Sequence, residues 1–321
     1  GKTYILKEFG RREYRSVAYV DLEKRTDLHA LFDGDLSPTR IVNGLKMALG
    51  RRIEEGGTLI IIDEAQTCPR AITSMKYFHD DAPGYHIVFA GSLLGILTAR
   101  TESFPVGKID RLRMYPMTFS EFLNACGEVA LCEHIRSGTM DSPVDPAFHQ
   151  RLVSYLREYY MVGGMPEVVG SWVENHSIAA VTRKLRTIVR DYRDDFAKHA
   201  GDQLPRLTEI WDSIPVQLAR ENNRFVFSHV KEGGRARDLS DAVRWLVDAG
   251  LVHKVCAVGS PATPLKGVCD RSHFKLYLCD IGILRVMSGR QAYFDRSDDA
   301  MDRFFKWSLT ENHVLCQMLA A

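Results

Sequence analysis

The sequence lacks a strong charge of either sign and a long apolar run, and each absence argues against a class of protein. Its 321 residues carry a formal net charge of +1, so no global electrostatic field attracts nucleic acid or acidic lipid. No apolar run approaches the roughly 20 residues that a membrane-spanning helix requires, and no signal peptide is recognisable. We therefore expect a cytoplasmic protein without membrane contact, in which any basic surface is local.

Paired cysteines and metal-binding motifs are also missing. The seven cysteines form no C-x-x-C motif and their number is odd, so free thiols in a reducing compartment fit better than disulfides or a zinc site. The 11 histidines show no H-E-x-x-H spacing, and no serine or cysteine lies in a recognisable nucleophile motif. These absences argue against zinc hydrolases and against hydrolases with a catalytic triad.

The clearest positive signal is Leu59–Ile62, an apolar run without polar alternation. Such a run indicates a strand covered on both faces, as in a parallel α/β sheet, and Gly56-Gly57 and Pro69 keep it too short for a helix. Asp63 and Glu64 follow at the carboxyl end of the strand, where open α/β sheets bind ligands. In an ATPase the first acid holds Mg²⁺, and the second orients or deprotonates water. Solvated acids that cap the next helix are the alternative interpretation.

The first three residues, Gly1, Lys2 and Thr3, match the end of the P-loop motif G-x-x-x-x-G-K-[ST] and precede a helical pattern. In that motif the lysine reaches the β- and γ-phosphates of ATP, the threonine hydroxyl binds Mg²⁺, and the helix start offers amides to phosphate. Only the end of the motif is present, so we expect its strand and glycine loop to lie upstream of Gly1. With Asp63 and Glu64 downstream, the three residues predict a nucleotide site.

Strand and helix patterns alternate through the N-terminal part of the chain. Strands are predicted over Arg15–Asp21 and Tyr85–Gly91. Ser37 and Pro38 indicate the N-cap and first position of one helix, and a further helix is predicted near Ala71–His79. The alternation predicts an α/β fold built on a doubly wound parallel sheet.

Ser92 follows the glycine that ends the strand predicted over Tyr85–Gly91. A small polar side chain beside the Asp63–Glu64 strand end would contact the γ-phosphate or the attacking water, as the sensor of AAA-type ATPases does. Ser92 is also a suitable N-cap for a helix over Leu93–Leu97, and the two roles are compatible. Ser92 therefore joins Glu64 as a predicted catalytic residue.

Eight stretches, spread over nearly the whole chain, carry a resemblance to a known family. They are Gly91–Gly95, Phe104–Lys108, Met114–Leu123, Gly163–Val169, Ser213–Leu218, Trp245–Leu251, Phe274–Gly282 and Glu311-Asn312. The tyrosine-proline stretch Met114–Leu123 and the glycine-rich stretch Gly163–Val169 are the most specific. The chain resembles a prokaryotic family of AAA-type P-loop ATPases whose C-terminal domain of unknown function combines a winged helix with a restriction-nuclease-like fold.

The resemblance implies an ATPase core, a helical lid over the nucleotide, a winged helix and the start of a nuclease-like domain. The corresponding ranges are 1–125, 126–205, 206–266 and 267–321. It also places Lys2 and Thr3 on the P-loop, Asp63 and Glu64 on the metal-binding and catalytic acids, and Ser92 on the sensor. ATP and Mg²⁺ are the ligands that follow from these positions.

The resemblance gives three further positions a possible role: Glu311, Arg111 and Arg113. Glu311 lies on the expected first helix of the nuclease-like fold, but in the family its acidic partners lie beyond Ala321. The sequence therefore gives no argument that the chain cleaves nucleic acid. Many such ATPases borrow an arginine from a neighbouring subunit, and Arg111 and Arg113 lie in the corresponding region. A homo-oligomer or a protein partner is expected for that reason.

The segment Leu207–Val258 has the pattern of a winged helix. A short strand is predicted at Arg224–Phe227, a capping box at Asp238 and Asp241, and the strand of the wing at Leu251–Val258. Five basic residues accompany the pattern: Arg220, Arg224, Lys231, Arg235 and Arg237. Helices of this kind enter DNA grooves in many proteins, and they also form contacts to other proteins, so both partners stay open.

Taken together, the sequence predicts an ATP-binding protein that hydrolyses the β–γ bond of ATP with Mg²⁺. The alternative is a nucleotide-gated module that binds a protein or DNA and turns over negligible ATP. An intact Glu64 favours hydrolysis. Neither the biological process nor the partner is indicated by the sequence.

Overall fold

The computed structural model describes residues 1–91, 107–138, 145–220, 224–259, 262–264, 267–289 and 300–321, with side chains in the last range from residue 306 onward. The chain divides into two compact units, Gly1–Met114 and Tyr115–Ala321. The first unit is built on a parallel sheet, and the second is mainly helical with an antiparallel strand pair.

Helices and strands alternate in the first unit, as the sequence predicts. In chain order they are α1 Lys2–Glu13, β1 Ser16–Asp21, α2 Ala30–Asp33, α3 Pro38–Leu49, β2 Thr58–Asp63, α4 Pro69–Asp81 and β3 His86–Phe89. The strands pair in the order β1-β2-β3, and both pairings are parallel. The predicted α/β fold with a parallel sheet is therefore confirmed.

The central strand, β2, is buried along its whole length, which explains its unbroken apolar run. Ile60 and Ile62 lie in the same apolar cluster as Ile41 of α3 and Ile72 of α4. Leu59, whose side chain points to the opposite face, lies against α1. Because helices cover both faces, alternation of polar residues along β2 would bury polar groups.

Gly10 allows α1 to lie directly on the sheet. A Cβ atom at this position would lie 2.6 Å from Cγ2 of Val17 and 3.1 Å from Cδ2 of Leu59. The close approach sets the path of α1 antiparallel to β2. Its first turn consequently lies beside the carboxyl end of β2, where Thr3 meets Asp63.

The second unit contains most of the helices. In chain order its elements are α5 Phe119–Ala125, α6 Val129–Ser137, α7 Pro146–Val162, α8 Pro166–Asn175, α9 Ile178–His199, α10 Leu204–Leu218, α11 Ala236–Asp248, β4 Val252–Val258, β5 Cys269–Leu278, α12 Ile281–Met287 and α13 Ala300–Ala320. The strands β4 and β5 pair antiparallel. The strand predicted at Leu251–Val258 is confirmed as β4.

Three of the stretches that carry the family resemblance meet inside the second unit. Asp280 is buried and caps α12 by accepting a hydrogen bond from the backbone N–H of Ile283 at 3.0 Å. It also accepts one from the N–H of Gly164 at 2.6 Å, and the Gly164 carbonyl accepts from the N–H of Met117 at 2.7 Å. A Cβ at Gly163 would lie 2.4 Å from a carboxylate oxygen of Asp280. Gly163 is therefore required by packing against this buried carboxylate.

The strand predicted at Arg224–Phe227 is wrong. Residues 224–226 have no regular structure, and Phe227–His229 forms a short 3-10 turn. The N–H of Phe225 donates a hydrogen bond to the carbonyl of Phe274 at 2.8 Å, without a continuous ladder. Since Phe225 also stacks on Phe274, side-chain burial explains the apolar residues that suggested a strand.

The capping box predicted at Asp238 and Asp241 is also wrong. Helix α11 begins at Ala236, with Arg235 as N-cap and no side-chain hydrogen bond at the cap. Buried Leu239 shows that the apolar face of the helix begins before Asp241. Both acids consequently lie inside the helix and on its exposed side.

No helix in the described ranges is both long enough and apolar enough to cross a lipid bilayer.

Candidate functional site

The first unit brings Thr3 and Asp63 into contact across 60 positions of sequence. The hydroxyl of Thr3, in the first turn of α1, donates a 2.6 Å hydrogen bond to Oδ2 of Asp63 at the end of β2. Asp63 is buried, with 3% of its surface exposed. The threonine hydroxyl and the aspartate carboxylate, which the sequence predicts at the ligand-binding edge of the sheet, are thus adjacent.

Tyr19 is a third member of this group, and sequence reasoning missed it. Its hydroxyl donates a 3.0 Å hydrogen bond to the same Oδ2 of Asp63. Burial, reinforced by that hydrogen bond to a carboxylate, raises the pKa of Tyr19 above its ordinary range, so the phenol remains a donor. The ammonium group of Lys7 lies 3.4 Å from the centre of the Tyr19 ring. Tyr19 lies on β1, and only the parallel register of β1 and β2 could have connected it to Asp63.

Glu64 lies just beyond β2 in a left-handed backbone conformation, with φ 51° and ψ 40°. This conformation costs a non-glycine residue about 1–3 kcal/mol and is concentrated at functional sites. Burial of the half-buried carboxyl group is the main cause that raises the pKa of Glu64. The hydrogen bond from Gln66 and the charge of Lys2 act against it. Nε2 of Gln66 donates a hydrogen bond to Oε2 of Glu64.

The amino end of α1 has the properties of an anion site. No side chain caps the helix or supplies an acid in its first turn. Lys2 lies close enough to Glu64 for its charge to favour the ionised carboxylate. No carboxylate of the first turn therefore compensates the amides and the positive end of the helix dipole. Both are available to a phosphate group.

The other positions predicted from the sequence are Ser92, Arg111, Arg113 and Glu311. Ser92 lies outside the described residues. Arg111 and Arg113 are exposed near the end of the first unit. Glu311 belongs to the second unit, where its carboxylate lies 3.0 Å from Nζ of Lys275 and accepts a hydrogen bond from the Tyr277 hydroxyl at 2.8 Å.

The chemistry of Thr3 and Asp63 suits Mg²⁺. Hydroxyl and carboxylate oxygens are its preferred protein ligands, and in nucleotide enzymes one or two of them act together with phosphate oxygens and water. Among the described residues, no cluster of three or more His, Cys, Asp or Glu side chains is arranged to hold a metal ion. The pair fits a metal ion that arrives with phosphates.

Comparisons with known proteins agree with this architecture. Residues 1–123 match the family model of an AAA domain, and residues 153–293 match that of a domain of unknown function, DUF8612. The structure of the Walker-type ATPase PABY2304 of Pyrococcus abyssi is similar at 13% sequence identity and a TM-score of 0.52, covering 89% of this chain and 87% of that one. No curated protein matches the sequence.

A second solved structure, the Aeropyrum pernix ORC1 protein in complex with DNA, aligns at 11% identity over 98% of this chain and 83% of that one. Its TM-score of 0.28 is too low to support an argument. At 13% identity the PABY2304 likeness concerns the fold alone. The chain thus has an α/β fold of the P-loop ATPase type, and its first 123 residues match the model of an AAA domain.

Proposed function

We propose that the chain binds ATP and hydrolyses its β–γ bond. The observation that carries this proposal is the 2.6 Å contact between Thr3 and Asp63, which joins the end of a P-loop motif to the acid at the end of β2. An AAA domain match over residues 1–123 supports the same reading. A buried strand with merely solvated acids would not explain why Asp63 is buried and accepts two hydroxyl donors.

Each residue has a role that follows from its position. Gly1, Lys2 and the first amides of α1 bind the β- and γ-phosphates. Thr3 and Asp63 hold Mg²⁺, which supplies charge neutralisation of the phosphates when it is bound. Glu64 accepts a hydrogen bond from the attacking water and orients it. Ser92 is proposed as the sensor of the γ-phosphate, on the family resemblance alone.

The test compares two variants of the full-length protein. Lys2→Ala removes the main point charge facing the phosphates and should abolish binding of a fluorescent ATP analogue. Glu64→Gln keeps the shape of the side chain and should retain that binding while losing phosphate release. Lys76→Ala, at an exposed lysine of α4, is the matched control and should behave as wild type. Equal ATP turnover by wild type and Glu64→Gln would overturn the proposal.

A second candidate is a nucleotide-gated interaction module with negligible turnover. The favouring observation is the hydrogen bond from Gln66, which already occupies one oxygen of Glu64. In that case wild type would bind the ATP analogue with a changed conformation, but its phosphate release would match that of Glu64→Gln. The same two-variant comparison therefore separates the candidates.

The second unit is proposed to contain a winged helix and the start of a nuclease-like fold. Helices α10 and α11 followed by the strand β4 support the winged helix expected over residues 206–266. Its partner is proposed to be a protein, because the exposed face of α11 carries Asp238 and Asp241 beside Arg237 and Arg244. A mixed face of this kind does not match the uniform negative charge of DNA phosphates. An arginine supplied by a second subunit would complete the ATPase site.

A further inference from the structure

We propose that Gln66 is a positioning residue for Glu64, fixing one carboxylate oxygen so that the other faces the attacking water. This inference rests on the proposed hydrolysis of ATP and names a residue that the P-loop and acid-pair motifs do not include. Three features support it: the backbone conformation of Glu64, the hydrogen bond between Gln66 and Glu64, and the partners of the remaining amide and carboxylate oxygens.

The backbone of Glu64 is held in place from both sides. Its carbonyl accepts hydrogen bonds from the N–H of Thr67 at 3.0 Å and from the Thr67 hydroxyl at 2.8 Å. The next amide, the N–H of Ala65, donates to the carbonyl of Ala90 beyond β3 at 3.0 Å. A strained left-handed residue persists only where its surroundings determine it in this way. The backbone thus fixes the position of the Glu64 Cβ atom, but it does not fix the orientation of the carboxylate.

Gln66 supplies the missing constraint on the carboxylate. Its Nε2 donates to Oε2 of Glu64, while its Oε1 is buried and has no hydrogen-bond partner. Turning the amide over would place Oε1 against the carboxylate, which is repulsive. The contact with Glu64 therefore fixes the orientation of the Gln66 amide. It does so although Oε1 stays buried without a donor, which costs free energy and is rare in folded proteins.

The second carboxylate oxygen of Glu64, Oε1, indicates whether Gln66 positions this acid or inhibits it. Within the described residues, Oε1 of Glu64 has no hydrogen-bond donor, whereas Oε2 is held by Gln66. A carboxylate that is tethered through one oxygen presents the other in a fixed direction, which is what orientation of a water molecule requires. If Gln66 silenced the acid, its removal would increase turnover instead.

The test replaces Gln66 with methionine, which has a similar length and no hydrogen-bonding amide, in the full-length protein. We expect Gln66→Met to lower kcat about 10- to 100-fold, because small errors in position cost rates of that order. KM for ATP and the Kd of a fluorescent ATP analogue should stay within about twofold, since no phosphate contact is lost. Gln150→Met, at an exposed glutamine of α7, is the matched control and should behave as wild type.

The double variant Glu64→Gln/Gln66→Met shows whether Gln66 acts through Glu64. If it does, the double variant should be no slower than Glu64→Gln alone, because the group that Gln66 positions is already gone. A loss equal to the product of the two single losses would overturn the inference. So would an unchanged or increased kcat in Gln66→Met.

Folding and the proposed function are controlled separately. If Gln66→Met unfolds or loses nucleotide binding, Gln66→Glu replaces it, since that side chain keeps the shape and repels Glu64. A folded Gln66→Glu with wild-type kcat would overturn the inference. If wild type and Glu64→Gln turn over ATP equally, the proposed hydrolysis fails. If they differ and Gln66→Met equals wild type, only the role of Gln66 fails.

Discussion

At the scale of single residues, the candidate site depends on one carboxylate oxygen with two donors. Oδ2 of Asp63 accepts hydrogen bonds from Thr3 and Tyr19, while Oδ1 accepts from the N–H of Glu64 at 3.1 Å. When a metal ion takes the place of one donor, the other still orients the carboxylate. Outer partners of this kind determine how well a ligand binds its metal ion. Tyr19 is thus expected to matter for Mg²⁺ although it contacts no nucleotide motif.

Replacement of Tyr19 by phenylalanine tests this role. Tyr19→Phe keeps the ring under Lys7 and removes the hydroxyl that holds Asp63. We expect the Mg²⁺ concentration needed for half-maximal nucleotide binding to rise roughly 10-fold, the lower end for loss of an outer hydrogen bond. A fluorescent ATP analogue titrated with and without Mg²⁺ measures it.

The same substitution at Tyr14 is the control for that measurement. The hydroxyl of Tyr14 contacts Nδ1 of His86 at 2.8 Å, at the start of β3 and away from the carboxyl edge. Tyr14→Phe should leave the Mg²⁺ dependence unchanged. An equal effect of both substitutions would show that Tyr19 acts through general stability, and no effect at Tyr19 would remove it from the site.

The sequence could predict the residues of the site that belong to a spaced motif, but not their supporting partners. Lys2, Thr3 and Asp63 were identifiable because a helix start and a strand end converge at one edge of a parallel sheet. Tyr19 depends on the register between two strands, which alternation of apolar residues does not specify. Gln66 depends on a left-handed turn at Glu64, and a glutamate gives no local signal of positive φ.

At the scale of elements, the family-like stretches have a packing role. Gly164 lies where α7 gives way to α8, and it donates to Asp280 at 2.6 Å. A Cβ at Gly164 would lie 2.2 Å from the carbonyl oxygen of Met117, a backbone atom that cannot move away cheaply. The glycine is therefore required by the approach of two chain segments.

Gly164→Ala should destabilise the second unit by about 2–3 kcal/mol, the cost of inserting a group into a fully packed site. Urea denaturation followed by tryptophan fluorescence measures it. Gly170→Ala is the matched control, because Gly170 lies inside α8 and a Cβ there meets nothing within 4 Å. That control should gain about 0.5–1 kcal/mol from helix propensity. Similar effects at both glycines would contradict the packing argument.

Element boundaries in the second unit show where sequence patterns were insufficient. Two acids three residues apart imitated a capping box, yet α11 starts at Ala236 because Leu239 is already buried. Phe225 suggested a strand, although its ring is buried by stacking on Phe274. In both cases tertiary packing decided the local structure, and local propensity carried too little free energy to oppose it.

At the scale of the whole molecule the net charge is close to zero. Acidic side chains also lie beside basic ones in the segment with the basic residues Arg220, Arg224, Lys231, Arg235 and Arg237. Lys231 lies 3.2 Å from Glu209, and Arg237 lies 3.6 Å from Asp238. Arg244 on the same helix lies 3.7 Å from Asp248. Basic side chains that already have acidic neighbours release few counterions on contact with phosphate. Two of the five basic residues, Lys231 and Arg237, therefore already have an acidic neighbour.

Duplex binding by the full-length protein tests this conclusion. The slope of log K against log salt concentration is about −0.9 for each phosphate neutralised on B-form DNA. We expect either no binding of a labelled duplex or a slope no steeper than about −1, because Lys231 and Arg237 already have acidic neighbours and the exposed face of α11 carries both signs of charge. Fluorescence anisotropy at low and moderate salt gives the slope. A protein partner that fits the mixed face of α11 should instead be lost when Arg237 and Arg244 are reversed to glutamate.

Charge reversal separates a true DNA surface from weak general attraction. The variant Arg235→Glu/Arg237→Glu changes the net charge by the same amount as Arg11→Glu/Arg12→Glu, which lies at the far end of α1 in the first unit. Equal small effects of the two variants would agree with nonspecific attraction. A wild-type slope near −3 that only the Arg235/Arg237 variant flattens would correspond to three or four phosphate contacts. That result would contradict the charge compensation seen here and would make DNA the partner of the second unit.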